Sequence, residues 1–292
     1  MRKITDIFAR KRRTLSFELF PPKTAPGARR LFETAETLAE LAPDFFSVTY
    51  GAAGSTATGT LRIAVELQER FGIPVLHHYT CIGHTRAVIR QCLQVMAQSG
   101  IRNILAMRGD PPRDRPNYRP GPDEPRFGHE LVRLIREFGD FFAVGVPGFP
   151  EKHPNTPTQE LDSLYLKVKQ DAGAEFVITQ LFFDNEDYHG FVRRVRRAGV
   201  TIPILPGILP ITDYDKLVNF CRLCGATLTE PIRRTFEPIR WDLRQTRARG
   251  IDVVARQCRE LLEAGAPGLH FFCLNHSEPT ATIVKSLKLL AV

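Results

Sequence analysis

Residues 75–107 read VLHHYTCIGHTRAVIRQCLQVMAQSGIRNILAM. Val75–Thr80 is short and rich in β-branched and aromatic residues, which predicts a strand. Between Thr85 and Ser99, Val88, Ile89, Cys92, Leu93 and Met96 fall on one face at helical spacing, and Gly100 supplies a stop. Arg102–Met107 is again a strand. Strand, loop, amphipathic helix and strand make the repeating unit of a parallel sheet.

The unit recurs in both directions along the chain. Further strands are predicted at Thr14–Phe20, Phe45–Tyr50, Phe141–Val146, Glu175–Gln180, Pro203–Pro206 and Leu269–Cys273. Helices are predicted at Ala28–Leu41, Asp187–Ala198, Val253–Ala264 and Pro279–Leu290. The basic start, MRKITDIFARKRR, has no signal-peptide core and reads as a short lead-in helix or arm. Two stretches exceed what the units need: Pro-rich Arg108–Arg126, and the Arg-rich, helical Gly225–Gly250 before the last unit. The expected architecture is one (β/α)8 TIM barrel over residues 1–292, with an extra N-terminal helix and an inserted helix before the last strand. An open doubly wound sheet is the alternative. It lacks support, because no GxGxxG follows the first strand and no Walker motif is present; GAAGST at 51–56 is the nearest sequence.

The composition, 43% hydrophobic and 25% charged, is that of a globular protein. No apolar run approaches the ~20 residues of a membrane helix, so no membrane association is expected. Six cysteines in 292 residues are not a disulfide scaffold, which points to a reduced, cytoplasmic enzyme. The net charge of +8 is spread over separate helical stretches such as Arg193–Arg197 and Arg233–Arg249. It reads as solvated faces rather than a nucleic-acid surface, with attraction of an anionic ligand as the remaining option.

In such a barrel the active site lies at the C-terminal strand ends. Polar residues there are Glu18, Thr49, Tyr50, His78, Thr80, Arg108–Asp110, the run FPEKHP at 149–154, Gln180, Asn275 and His276. Glu18 stands among Phe17, Leu19, Phe20, Pro21 and Pro22. Apolar surroundings strip a carboxylate of hydration and favour its protonated form, which suits a general acid. A salt bridge to a nearby Arg or Lys is the other reading. Asp110 follows Gly109 and precedes two prolines that would hold its carboxylate rigidly at the barrel mouth; a loop cap is the alternative. His77, His78 and His84 make no zinc motif, and the CxxC of Cys221 and Cys224 stands alone, as core packing.

Several ordered segments are recognisable: SFELFPPKT (16–24), FSVTYGAAGST (46–56), HYTCIG (78–83), NILAMRGDPP (103–112), FPEKHP (149–154), DAGAEFVITQLFFDNEDY (171–188), PILPGILPI (203–211) and HFFCLN (270–275). With these, the chain resembles the methylenetetrahydrofolate reductase family, in its short bacterial form. The resemblance implies FAD as cofactor and NADH or NADPH as co-substrate. It implies reduction of 5,10-methylenetetrahydrofolate to 5-methyltetrahydrofolate by a ping-pong route, in a homo-oligomer. An alternative within the family is a flavin- and folate-binding subunit that takes electrons from a redox partner protein.

By the same resemblance Glu18 is the proton donor, and Asp110 acts in catalysis while contacting both flavin and folate. Cofactor contacts fall on Thr49, His78, Arg108, Gly109, Asp110, Phe127, Gly128, Phe149, His153, Asp162, Tyr165 and Lys169. Substrate contacts fall on Asp110, Gln180, Phe220 and His276, and no metal is implied. The chain departs from the family pattern at Phe149 and Phe272, where tyrosines are usual, at His276, where arginine is usual, and at Tyr165 and Val168.

Overall fold

The computed structural model describes residues 1–22, 24–50, 57–111, 115 and 117–287. The 51–56 stretch and the tail of the expected last helix lie outside the described residues. Eight parallel strands close into a barrel in sequence order. They are β1 (Thr14–Leu19), β2 (Phe45–Val48), β3 (Val75–Thr80), β4 (Asn103–Met107), β5 (Ala143–Gly148), β6 (Phe176–Leu181), β7 (Ile204–Ile208) and β8 (Gly268–Phe272). β1 closes the ring, pairing Glu18 with Ser47 of β2 on one side and Ser16 with His270 of β8 on the other.

Around the strands run α2 (Ala25–Ala39), α3 (Ala57–Phe71), α4 (Arg86–Gln98), α5 (Gly128–Arg136), α6 (Gln159–Asp171), α7 (Asn185–Arg197), α10 (Leu243–Glu263) and α11 (Ser277–Ser286). Their starts follow local chemistry. Thr24, Thr85 and Thr158 cap α2, α4 and α6 through their hydroxyls, and Asp184 and Asp242 cap α7 and α10 through their carboxylates.

Among the described residues, three helices stand outside this ring: α1 (Ile4–Arg10), α8 (Tyr214–Cys224) and α9 (Glu230–Phe236), the last followed by a 3₁₀ turn at Glu237–Ile239. The insertion before β8 therefore begins earlier than the sequence indicates, at α8. It also ends earlier, because residues 243–250 belong to the ring helix α10. Gly250 explains the misreading. It is not a boundary but a close approach: a Cβ there would lie 1.9 Å from the Ile211 carbonyl oxygen.

Strand alternation divides the core in two. Phe17, Phe46 and Val48 join the apolar layer between strands and helices. Phe45, Leu76, Leu105, Phe176 and Leu205 form a separate cluster with Ile4 and Ile7 of α1, which is the barrel interior. α1 plugs the N-terminal mouth: Ile4 N–H donates to Asn103 Oδ1 at 2.7 Å, and Phe8 packs on Phe176 at 5.6 Å. The interior is thus apolar at the plugged end, and Glu18, His78 and His270 lie toward the other.

Leu274 and Asn275 adopt φ of 51° and 56° just after β8. The Asn275 carboxamide accepts from Phe20 N–H at 2.9 Å and donates to Phe20 O at 2.8 Å, while Thr34 Oγ1 donates to Asn275 O. This polar residue of the strand-end ring is a structural clasp between the exits of β8 and β1. Asn275→Ala removes two hydrogen bonds and a side chain that tolerates the left-handed region. We expect a loss of about 1–3 kcal/mol in urea unfolding.

Candidate active site

The alternation TLSFEL on β1 sends Leu15, Phe17 and Leu19 toward the helices and Ser16 and Glu18 into the barrel. The apolar neighbours of Glu18 in sequence are therefore not its neighbours in space. Its surroundings are two imidazoles, a correction to the apolar pocket expected from sequence and to its Arg or Lys alternative. Glu18 Oε2 lies 3.5 Å from His78 Nε2 and 3.5 Å from His270 Nε2. Glu18 is 5% exposed and His270 is fully buried. Ser47 Oγ lies 2.6 Å from His78 Nε2, and Ser16 Oγ 2.8 Å from His270 Nδ1. Burial pushes His78 down to about 4, against the pull of the Glu18 carboxylate, so its ring is neutral at pH 7.

A second group of charges lines the rim after β4 and β5. Gly109 takes φ 85°, with Thr80 and Ile82 packed where a side chain would stand, and carries the chain from Arg108 to exposed Asp110. The α5 start at Gly128 backs onto the Arg108 amide and the Lys169 side chain. Lys169 Nζ donates to Pro147 O at 3.2 Å. Burial pulls it down to about 8, and Asp162 opposes this. Burial in turn raises Asp162, whose Oδ1 accepts from Thr156 Oγ1 at 3.2 Å. His153 stands edge-on to Phe149 at 4.6 Å between ring centroids, and burial lowers its affinity for a proton. Its Nδ1 accepts from Asn155 N–H at 3.1 Å, which leaves the ring proton on Nε2. Arg108, Asp110, Asp162 and Lys169 all act on that imidazole, so these residues share one electrostatic neighbourhood. Phe127 and Tyr165 present faces 56% and 48% exposed on the neighbouring helices α5 and α6.

The remaining sequence candidates are dispersed along the rim. Thr49 follows β2, its N–H donating to Leu19 O. Gln180 folds back so that Oε1 accepts from Leu181 N–H at 2.9 Å. Phe220 is half-buried on α8, and His276 is exposed at the start of α11. The α8–α9 insertion reaches across to the loop after β5: Glu151 accepts from the Thr227 N–H at 2.7 Å and from its hydroxyl. It therefore bridges the sector of the C-terminal rim between β7 and β5. Cys221 packs into the core with its thiol pushed up to about 11 by burial, and both CxxC cysteines are free. No group of three or more metal-ligating side chains occurs among the described residues, and no helix there is long and apolar enough to cross a membrane.

Ser16 and His270 escaped the sequence reading. The signal was available: Thr14, Ser16 and Glu18 alternate with three apolar residues, and His270 sits mid-strand in LHFF.

The family model for methylenetetrahydrofolate reductase matches residues 3–288. The chain belongs to that family. A 5,10-methylenetetrahydrofolate reductase of Pectobacterium carotovorum is 34% identical over 94% of this chain and 89% of its own length. Methylenetetrahydrofolate reductase (NADH) 1 of Arabidopsis thaliana is 34% identical over 99% of this chain but only 50% of its own. The chain spans about half the length of the plant relatives it matches.

Among solved structures, a Clostridium thermocellum protein that binds two copies of 5-methyl-5,6,7,8-tetrahydrofolic acid shares the fold. Its TM-score is 0.66 at 12% identity, over 99% of both chains. The tryptophan synthase α-subunit of Pyrococcus furiosus does so with TM-score 0.53 at 15% identity, over 96% of this chain and 98% of its own. Within the methylenetetrahydrofolate reductase frame, the departure at His276 is local. Although its surface is largely exposed, partial burial of the ring, then Arg30, Arg247 and Lys216, disfavour its charged form, so those three neighbours bring positive charge to this part of the rim.

Proposed function

We propose that this chain reduces 5,10-methylenetetrahydrofolate to 5-methyltetrahydrofolate, with NADH or NADPH as the electron source and FAD as resident cofactor. The observation that carries the reading is Glu18, a buried carboxyl group inside the barrel, at the mouth where family members place their proton donor.

The rim residues fit FAD in charge and shape. Arg108 and Lys169 bring two cations to one neighbourhood, matched to a diphosphate. Asp162 offers an acceptor for a ribose hydroxyl, and Phe127 and Tyr165 offer exposed faces for an adenine. Gly109 lets the rim backbone pack directly on Thr80 and Ile82, and Gly128 does so on the Arg108 amide and Lys169, which fixes the cations in place. FAD, when bound there, supplies hydride transfer between nicotinamide and folate. Lys169→Met is expected to weaken FAD binding about tenfold or more, read by recovery of flavin fluorescence on release.

The chain's own contribution is proton supply and orientation. Opening the five-membered ring of the folate requires a proton on the departing ring nitrogen. Glu18, shielded from bulk water, is placed to donate it. Asp110 is exposed at the rim, where its carboxylate would hydrogen-bond the pterin. Gln180 keeps its carboxamide oxygen on the Leu181 N–H, so the NH₂ group is the part of the side chain that would meet substrate. Phe220, on the helix that crosses the rim, supplies an apolar face over the ligand.

The test is anaerobic. FAD-loaded protein is mixed with NADH, then NADPH, and then 5,10-methylenetetrahydrofolate, while flavin absorbance is followed. Bleaching by one nucleotide and recovery with the folate are expected. A flavin that stays oxidised with both nucleotides overturns the self-sufficient reading, and the electrons must then come from a partner protein.

A further inference from the structure

We infer that His270 is the positioning residue of the proton donor: Glu18 and His270 hold one proton between Oε2 and Nε2, and Ser16 fixes the imidazole tautomer that makes this possible. The inference deepens the proton-donor reading above and rests on it for its catalytic consequence, but not for its geometry.

Hydrogen-bond accounting leads there. The hydroxyl of Ser16 has one proton, and the Leu269 carbonyl, an acceptor only, takes it at 3.3 Å. With that proton on Leu269 O, Ser16 Oγ accepts from His270 Nδ1, 2.8 Å away, and the neutral ring carries its proton on Nδ1; the opposite assignment, Oγ–H to Nδ1, is the one the spectra below would reveal. That leaves Nε2 as a lone pair. Nε2 is fully buried, has no hydrogen-bond partner, and lies 3.5 Å from Glu18 Oε2. A lone pair facing a carboxylate is repulsive, and burial of both groups leaves that repulsion unscreened. A lone pair facing a carboxylic acid is a hydrogen-bond acceptor. The two groups are therefore compatible when one proton lies between them.

The other groups near Glu18 do not compete for this role. His78 approaches the same oxygen at 3.5 Å, but its Nε2 is engaged by Ser47 at 2.6 Å. Cys273, after β8, remains neutral, because burial pushes its thiol up to about 12. His270 is held in place by Phe45, with ring centroids 6.1 Å apart and nearly parallel, and by Phe272 edge-on at 5.6 Å. The imidazole cannot swing away without breaking this packing. Its function is to orient the acid, since the Nε2 lone pair accepts a hydrogen bond only from the protonated carboxyl.

Two measurements test this. Imidazole ¹⁵N spectra of the purified chain, with His270 assigned by its loss in His270→Asn, read the tautomer directly and need no substrate. An Nδ1–H ring with an acceptor Nε2 at pH 7 is expected, and a mixed population in Ser16→Ala. An Nε2–H ring in the unaltered chain overturns the inference. The second readout is the pH profile of the folate half-reaction. His270→Asn keeps an atom at the Nδ1 position for Ser16 and deletes the one facing Glu18. Its folate half-reaction should fall about tenfold relative to its nicotinamide half-reaction, and the alkaline limb should move to lower pH. Ser16→Ala should move the limb the same way. A folded, FAD-binding His270→Asn with an unmoved limb also overturns the inference. If the unaltered chain does not reduce methylenetetrahydrofolate at all, the spectra still decide the tautomer, and the failure belongs to the functional reading.

Discussion

Glu18→Gln is expected to slow the folate half-reaction by about 10²–10⁴-fold, the usual contribution of a positioned general acid. Hydride transfer from NAD(P)H needs no proton from this side chain and should change far less. The substitution is nearly isosteric, so the contacts at Oε2 are kept in shape. What is lost is the transferable proton, because an amide cannot give one up near neutral pH. Stopped-flow flavin absorbance separates the two half-reactions in one sample. Equal slowing of both would show that Glu18 positions the cofactor rather than protonates the folate. No slowing of either would remove it from the mechanism.

The same residue shows what a sequence conveys and what it hides. Its identity as a buried acid was legible, because the strand around it is short, apolar and placed first in a repeating unit. Its surroundings were not legible. Along a strand, residues one apart face opposite sides, so Phe17 and Leu19 pack on helices while Glu18 meets His78 from β3 and His270 from β8. Those partners lie 60 and 252 positions away, and only barrel closure brings them together. The strands were legible within about two residues because β propensity and bounding glycines mark them locally. The inserted segment was harder, since helical periodicity alone cannot separate a ring helix from one that crosses the rim. Gly250 reads as a boundary in sequence and is a packing contact in space. Arg108, His153, Asp162 and Lys169 show the reverse case. Arg108 and His153 were identifiable through their motifs and Asp162 and Lys169, both on α6, through the family resemblance alone, and the fold brings them into one neighbourhood.

Adjacent histidines on β3 set the acid limit of this fold. His77 faces the helix layer and is fully buried with both ring nitrogens unpaired; burial, and then His78, pull it down to about 3. His78 faces the barrel and is pulled down to about 4. Both rings are neutral when folded, whereas in the unfolded chain each takes up a proton near pH 6.5. As pH falls below about 6.5, the unfolded state therefore gains protons that the folded state refuses until about pH 4 and then pH 3. Stability should be flat with respect to these groups above pH 6.5. Below it, stability should fall by about 1.4 kcal/mol per pH unit for each histidine, roughly 2.7 for the pair. By about pH 4.5 the pair has removed about 5 kcal/mol, the low end of a typical total of about 5–15, so a fold of that stability unfolds cooperatively there, and a more stable one loses no more than about 8 kcal/mol to these two groups. Urea unfolding between pH 7.5 and 5 measures the slope. His77→Leu should remove about half of it and move the acid transition to lower pH. It should also stabilise the chain at neutral pH, because two unpaired buried nitrogens disappear. An unchanged slope in His77→Leu would mean that the His77 ring finds a proton or a water in the folded state, and that the limit lies with the carboxylates instead.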